Sequence, residues 1–397
     1  MSTLRKFLES REARKLFRDK IAIIAMFVIG GYLLIALATM CNLLSLKDCT
    51  EVVGPTNMPG FFLEEEPERR YEVARTNFLG PVKRALELSN PSEALADIRK
   101  GRQTVVDRSP AELQEIVNNA SELQAQLKQA ESLDDPKMLT LLESFENETA
   151  RLEAPLSSWD QFVQNASLLL GTDAQGRSIL FRGIFSIKVA IQIGVVTAFV
   201  SVLIGAVLGS AAGYFGGWVD YVVVWLYTTF SSIPNLVLLV IIAYAFTESE
   251  SSVKDTLLPV YIAFCATFWI GTCRVVRGET LKLKQLEYVQ AAKTAGFGSA
   301  RVLLRHILPN TSHLMLINFS LLLIGAIKSE VIISFLGLGV QSQPSWGVMI
   351  RDAGNNGDVM TGFFWQIGTA TAFMFVLVLA FNILSDALQD AFDPKHL

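Results

Sequence analysis

Charge is scarce in this chain. Asp, Glu, Lys and Arg make up 18% of its 397 residues, against about 25% in an ordinary soluble domain. Histidine is rarer still, three residues in all, too few for a histidine metal cage, and no Cys/His spacing has the form of a zinc site. Four cysteines give no disulfide framework: Cys41, Cys265 and Cys273 fall in apolar runs and Cys49 lies just beyond one. No Gly-x-x-x-x-Gly-Lys-Ser/Thr string is present to hold nucleotide phosphates, and Gly296-Phe297-Gly298 is too short for a dinucleotide loop. A serine nucleophile elbow and a His-Glu-x-x-His helix are also missing. These gaps argue against a self-sufficient ATPase, a hydrolase or a metalloenzyme, and the reading is a non-catalytic chain with no cofactor and no metal.

What the chain has instead is apolar sequence, 51% of its residues. Six runs are long enough to cross a hydrocarbon core, which takes about 20 helical residues: 21–45, 187–213, 219–246, 257–273, 312–337 and 363–385. Helices are expected, because in lipid only helices and closed barrels satisfy every backbone group, and these runs lack the short alternation of barrel strands. The fold class is therefore an all-α integral membrane protein with six transmembrane helices. The first run is too long for the apolar part of a cleaved signal peptide and reads as a retained anchor.

Basic residues fix the expected orientation. Arg5, Lys6, Arg11, Arg14, Lys15, Arg18 and Lys20 precede span one. Between spans four and five, Arg274, Arg277, Lys282, Lys284, Lys293, Arg301 and Arg305 face only Glu279 and Glu287. The positive-inside rule places both segments, and by the even span count the C-terminus, in the cytoplasm. The segment between spans one and two is then outside. From Lys47 to Asp160 it carries 22 acidic and 13 basic residues. Its helix starts are legible: Asn90-Pro91-Ser92-Glu93 and Ser109-Pro110-Ala111-Glu112 have the form of capping boxes with Pro in the first turn. Leu113, Ile116, Val117, Ala120, Leu123 and Leu127 then keep one apolar stripe, and another helix opens at Asp135-Pro136. The expected organisation is 1–46, N-terminus and first span; 47–165, a helical extracytoplasmic insertion; and 166–397, a five-helix core with a cytoplasmic loop at 274–311. The insertion is a solvated helical hairpin or bundle, or a platform whose acidity attracts a basic partner.

Within the spans, Gly205, Gly209 and Gly213 recur every four residues, a spacing that lets another helix pack close. Ser231-Ser232-Ile233-Pro234-Asn235 interrupts span three, and Lys328 and Glu330 sit well inside span five, where ionisable groups line a cavity, pair, or snorkel to the interface. Pro234, Asn235, Lys328 and Glu330 are the candidate path residues.

The most specific string is Glu287-Tyr288-Val289-Gln290-Ala291-Ala292-Lys293-Thr294-Ala295-Gly296, followed by Gly298 and then Ile307-Leu308-Pro309. Small Ala291 and Ala292 let a short helix approach another surface, Gly296 and Gly298 permit a sharp exit, and Pro309 suits the start of the next span. This string resembles the EAA loop by which ABC-importer permeases dock on their ATPases. Further likeness lies in Gly171–Ser178, Ala212–Asp220, Ser334–Val340, Pro344–Gly347 and Asp386–Pro394. Together these segments resemble the permease subunits of peptide/nickel-type ABC importers, and more closely their oligopeptide/dipeptide C-type subunit. The likeness covers span one loosely and 165–397 closely, and leaves out 55–160. It departs at Gln290, where the family has Glu, and at Ser178, where Asp is usual.

The resemblance implies a multi-pass half-transporter of the bacterial inner membrane, working by alternating access. A second permease, two ATP-binding subunits and an extracytoplasmic solute-binding protein are the implied partners, alongside membrane lipid and without nucleic acid. Glu287, Gln290, Ala291, Ala292, Gly296, Gly298, Leu308 and Pro309 carry the implied ATPase-coupling role. Oligopeptides or dipeptides are the implied cargo, with nickel or another small solute as the alternative. A membrane-anchored sensor or scaffold is the rival from outside transport; it accounts for the outer segment and leaves the 274–309 stretch without a task.

Overall fold

Helices account for nearly all regular structure in the computed structural model, which describes residues 19–392 except chiefly 61–70, 96–107, 129–135, 153–157 and 248–255, with shorter gaps between 42 and 93 and at 340–341. The basic N-terminal residues before Asp19 and the Asn90, Ser92 and Glu93 of the first expected cap lie outside the described residues. Two compact units are present: Leu44–Ile184 with Asp352–Thr369, and the remainder, Phe185–Arg351 with the two chain ends.

Among the described residues, five helices are long and apolar enough to span a membrane, or six with one bent pair counted as a single span. The first, α1, covers Lys20–Met40 and is capped by Asp19, whose carboxylate accepts from the Ile21 amide at 2.9 Å. A short α2 covers Leu46–Thr50 and α3 covers Gly80–Glu87. Helix α4, Pro110–Leu127, begins with the reciprocal capping box expected from its sequence: Ser109 Oγ accepts from the Glu112 amide, and Glu112 accepts from the Ser109 amide. Its stripe Leu113, Ile116, Val117 and Ala120 packs on Leu142 and Phe145 of α5, Pro136–Ala150. That cluster, extended by Tyr71, Leu79 and Val82, is the apolar core of this helical segment. Helix α6, Ser158–Leu168, follows.

Helix α7, Ile179–Phe215, has 37 residues, about 56 Å at 1.5 Å per residue. It exceeds a hydrocarbon core of about 30 Å by several turns. Span three is two helices, α8 (Gly217–Ser231) and α9 (Asn235–Thr247), meeting at 87°. The break falls where expected. Pro234 offers no amide to the turn before it and restricts Ile233, so one ladder ends with Ser232 N to Thr228 O and the next opens with Leu238 N to Pro234 O.

Spans four and five differ from their expected limits. Helix α10 runs Leu258–Leu283, ten residues past the expected end at 273, and carries Arg274 and Arg277 as part of the helix. After α11, Glu287–Thr294, helix α12 extends over Ser299–Phe335. Pro309 stands in the first turn of the regular α-helix Leu308–Phe335, as the sequence reading had it. The helical stretch starts earlier, at Ser299, and Pro309 comes two residues after a π-turn at Leu303–Ile307, whose last hydrogen bond is Leu308 N to Leu303 O. The wider turn shifts the bonding register just where proline has no amide to contribute, which is how the helix absorbs it. The chain continues through α13 (Trp346–Asn355), the single turn α14 (Asp358–Thr361) and α15 (Trp365–Phe392), the sixth span.

Helices α7 and α10 touch along the glycine stripe. A Cβ on Gly205 would lie 2.7 Å from the Trp269 carbonyl, one on Gly209 2.5 Å from that of Cys273, and one on Gly213 2.9 Å from that of Arg277. Only hydrogen fits there. The close approach that the four-residue spacing implied is the contact that fixes these two spans.

Candidate functional site

The stretch between α10 and α12 is a built surface. Helix α11 buries Val289 and Ala292 in a small core with Tyr214, Leu283, Val302 and Ile307, drawn from the ends of α7, α10 and α12. It ends in a Schellman motif: Phe297 N donates to Ala292 O at 3.1 Å and Gly296 N to Lys293 O at 3.0 Å. Gly296 sits at φ +80°, a conformation that costs glycine little and strains any residue bearing a Cβ. Around this turn Phe297 stacks on His306 with ring centres 6.4 Å apart, Arg301 lies 5.6 Å over Phe297, and Asn310 donates to the Tyr288 hydroxyl at 3.0 Å. Lys293 lies 4.9 Å over the Tyr214 ring.

The sequence-derived coupling residues divide on this element. Glu287, Gln290, Ala291, Gly296, Gly298 and Pro309 are exposed, Leu308 is half-buried, and Ala292 is buried against the core. The outward face is apolar as well as small: Leu286, Tyr288, Phe297 and Leu304 are all more than two-fifths exposed. Gln290 has a specific task. Its side-chain nitrogen donates to the Lys284 carbonyl at 2.8 Å, closing the C-terminal end of α10. A glutamate, with no proton to donate when ionised, does not make that bond.

The element is tied mechanically to the spans. Arg277 on α10 grips Asp220 on α8 through both nitrogens, Nη2 to Oδ2 at 2.7 Å. That fork joins the start of the broken span to the helix leading into α11.

Farther along the same unit, the break in span three opens a cavity of about 490 Å³. Pro234 and Asn235, both candidate path residues, line it with Gly271 of α10 and Gly325 and Ser329 of α12. Lys328 and Glu330 do not. Lys328 is exposed, whereas Glu330 is 3% exposed and accepts from the Ser334 hydroxyl at 2.6 Å. The four candidates thus fall in three places.

One constellation escaped sequence reasoning. Asp173 accepts from the Gln175 and Arg177 amides, each at 2.9 Å, from Arg177 Nε at 2.8 Å and from Arg182 Nη1. Arg182 also donates to Asp352 at 2.8 Å, and Arg177 approaches the same oxygen at 3.3 Å. Asp173 and Arg182 are almost wholly buried. At the start of α14, Asp358 is 2% exposed and its Oδ1 has no partner among the described residues. Burial first, then the nearby carboxylate of Asp173, raises Asp358 above the ordinary carboxylate range, and a hydrogen bond from Asn57 opposes the shift. The available signal was Arg182, a cation placed in the apolar opening turns of α7.

Comparison with known proteins bears on this arrangement. Residues 205–396 match the family described as the binding-protein-dependent transport system inner membrane component. The dipeptide transport system permease protein DppC of Bacillus subtilis (strain 168) is 34% identical over 226 residues, 57% of this chain and 68% of that protein. The oligopeptide transport system permease protein OppC of Escherichia coli (strain K12) is also 34% identical over 226 residues, 57% of this chain and 72% of that protein. The glutathione transport system permease protein GsiD of Pectobacterium atrosepticum is 34% identical over 227 residues, 57% of this chain and 72% of that protein.

Proposed function

Because this chain belongs to the binding-protein-dependent transport inner-membrane family, among the permease subunits of peptide-type ABC importers, we propose that it is one half of the membrane path of an ATP-driven importer of short peptides. It performs no catalysis and binds no cofactor; two separate subunits bind and hydrolyse ATP. A second permease chain completes the path and an extracytoplasmic binding protein delivers the cargo. Both termini lie in the cytoplasm of a bacterial cell, with 47–165 outside as a helical insertion against which that binding protein docks.

The observation that carries this reading is the mounting of α11. Its outward face, with Leu286, Tyr288, Ala291 and Phe297, is apolar enough to seat in a groove of a partner. Its inward face is locked through Val289 and Ala292 to the ends of three spans. Force applied to α11 therefore reaches α7, α10 and α12 without passing through a flexible joint. A coupling element works only by fitting one ATPase arrangement better than the other, so that closing the ATPases biases the inward and outward states of the path. Gln290 serves this by holding α11 to the end of α10, in place of the ion pair that Glu would offer a partner.

The test is ATP-dependent uptake. The complete importer, purified with its binding protein and reconstituted in vesicles, is expected to accumulate a labelled tripeptide only with ATP. Uptake of nickel complexes and no peptide would transfer the cargo to the other branch of the resemblance.

A further inference from the structure

Glycine inside a helix costs conformational entropy relative to alanine, so each such glycine invites a reason. At Gly205, Gly209 and Gly213 the reason is the touching backbone of α10. Gly271 and Gly325 have no such neighbour. Both lie within helices at ordinary negative φ, and a Cβ on either would meet nothing within 4 Å. What they share is the cavity at the break of span three, which Gly271 lines from α10 and Gly325 from α12.

The rest of the lining has a consistent chemistry. Ser231, Asn235 and Ser329 supply neutral hydrogen-bonding groups, Phe230 and Phe268 supply apolar walls, and among the described residues no Asp, Glu, Lys or Arg takes part. Arg274, one turn beyond Gly271, bonds to Ser231 at 2.7 Å and lies over the Tyr227 ring, and is not part of the lining. Asn235 offers both a donor and an acceptor, the pair that a peptide amide presents in reverse. A volume of about 490 Å³ is in the range of sites that hold small organic ligands.

We infer that this cavity is a binding site for the main-chain amides of a short peptide, and that Gly271 and Gly325 set the length it accepts by leaving their side of the wall empty. The inference rests on the reading of the chain as a peptide permease. It adds which residues meet the cargo, and that they read amide groups and room rather than side-chain charge. Peptides differing only in a central Lys or Glu should therefore pass alike.

The experiment uses the complete importer in vesicles, with di-, tri- and penta-alanine and tripeptides carrying central Lys or Glu as labelled probes. Gly325→Ala, Gly325→Leu and Gly325→Phe form a graded series, with Gly271→Leu as an independent filling of the same space. Uptake of penta-alanine is expected to fall in the order Ala, Leu, Phe, by about tenfold or more at Leu, a factor within the range that added methylenes produce in a filled pocket. Dialanine uptake should change far less, and the Lys and Glu tripeptides should match each other in wild type. An equal loss at every length, with the complex intact, would overturn the inference. So would loss of the second permease from complexes carrying Gly325→Leu while Gly325→Ala assembles, because a partner helix would then fill the cavity. Strong discrimination between Lys and Glu probes would remove the amide-reading part. If wild type accumulates no peptide at all, it is the proposed function that fails, and the cavity reading falls with it.

Discussion

Replacing Arg182 by Met should damage this protein more than any surface charge deletion. Arg182 is 2% exposed and its guanidinium spans two carboxylates, Asp173 and Asp352, that lie far apart in sequence. Removing it leaves Asp173, which is 1% exposed, with Arg177 and two backbone amides, and takes from Asp352 its bond at 2.8 Å. Deleting one partner of a buried pair costs about 3–5 kcal/mol, because the remaining charge keeps its desolvation penalty. For a unit of this size each kcal/mol moves the midpoint by about 2–4 °C, so a fall of about 6–20 °C is expected. The assay is thermal unfolding of the detergent-solubilised protein, followed by proteolysis of the segment around 352–369. Asp352→Leu should destabilise by itself, and the double variant Arg182→Met, Asp352→Leu should be less damaged than the two single losses combined. Arg151→Ala is the surface control: Arg151 pairs with Glu148 from a half-exposed position and its loss should leave the midpoint unchanged. If Arg182→Met behaved like Arg151→Ala, or the double variant lost the full sum, the buried-network argument would be wrong.

Other expectations follow from single contacts. Asp358 holds its proton to higher pH in the folded protein than in the unfolded chain, so the folded state binds more protons in the interval between the two values. Stability should therefore fall as pH rises through the raised value; Asp358→Asn should flatten that slope and raise the midpoint at neutral pH, and unchanged pH curves would refute it. Gly209→Leu drives a side chain into the Cys273 carbonyl of α10 and should cost at least about 1–3 kcal/mol. Gly278→Ala, where a Cβ meets nothing within 4 Å, should be neutral or slightly stabilising in the same melting assay. Gln290→Glu removes the donor to Lys284 O, costing about 1 kcal/mol; a variant as stable as wild type would remove that bond from the account of α11.

The sequence revealed most where one residue type dictates one local geometry. The span-three break follows from Pro234, the α7–α10 contact from glycines four apart, and the start of α4 from Ser109 and Glu112. The sequence did not reveal that Ser299–Ile307, read as part of the cytoplasmic loop at 274–311, is helical up to Pro309. Exposed Arg301, Leu304 and Arg305 conceal the period there, and a π-turn displaces it further, so no 3.6-residue stripe reaches the proline. The Asp173–Arg182–Asp352 network was hidden for another reason. Asp173 and Arg182 are nine residues apart, but Asp352 lies 170 residues beyond Arg182, and nothing local to Asp352 announces a partner. Gly271 and Gly325 were also silent, because an unneeded glycine is recognised only when the space beside it can be seen.

The central claim is that α11 and its glycine exit form the seat for an ATPase. The most direct measurement is purification of this chain from its native membrane in mild detergent, beside Gly296→Arg, with the co-purifying proteins identified by mass spectrometry. Gly296 lies at φ +80° with open space around it, so arginine distorts the exit of α11 without striking the core. The account expects ATP-binding subunits with wild type and their loss from Gly296→Arg, while the second permease is retained by both. ATPases bound equally well by both forms, or absent from an intact wild-type complex, would contradict it.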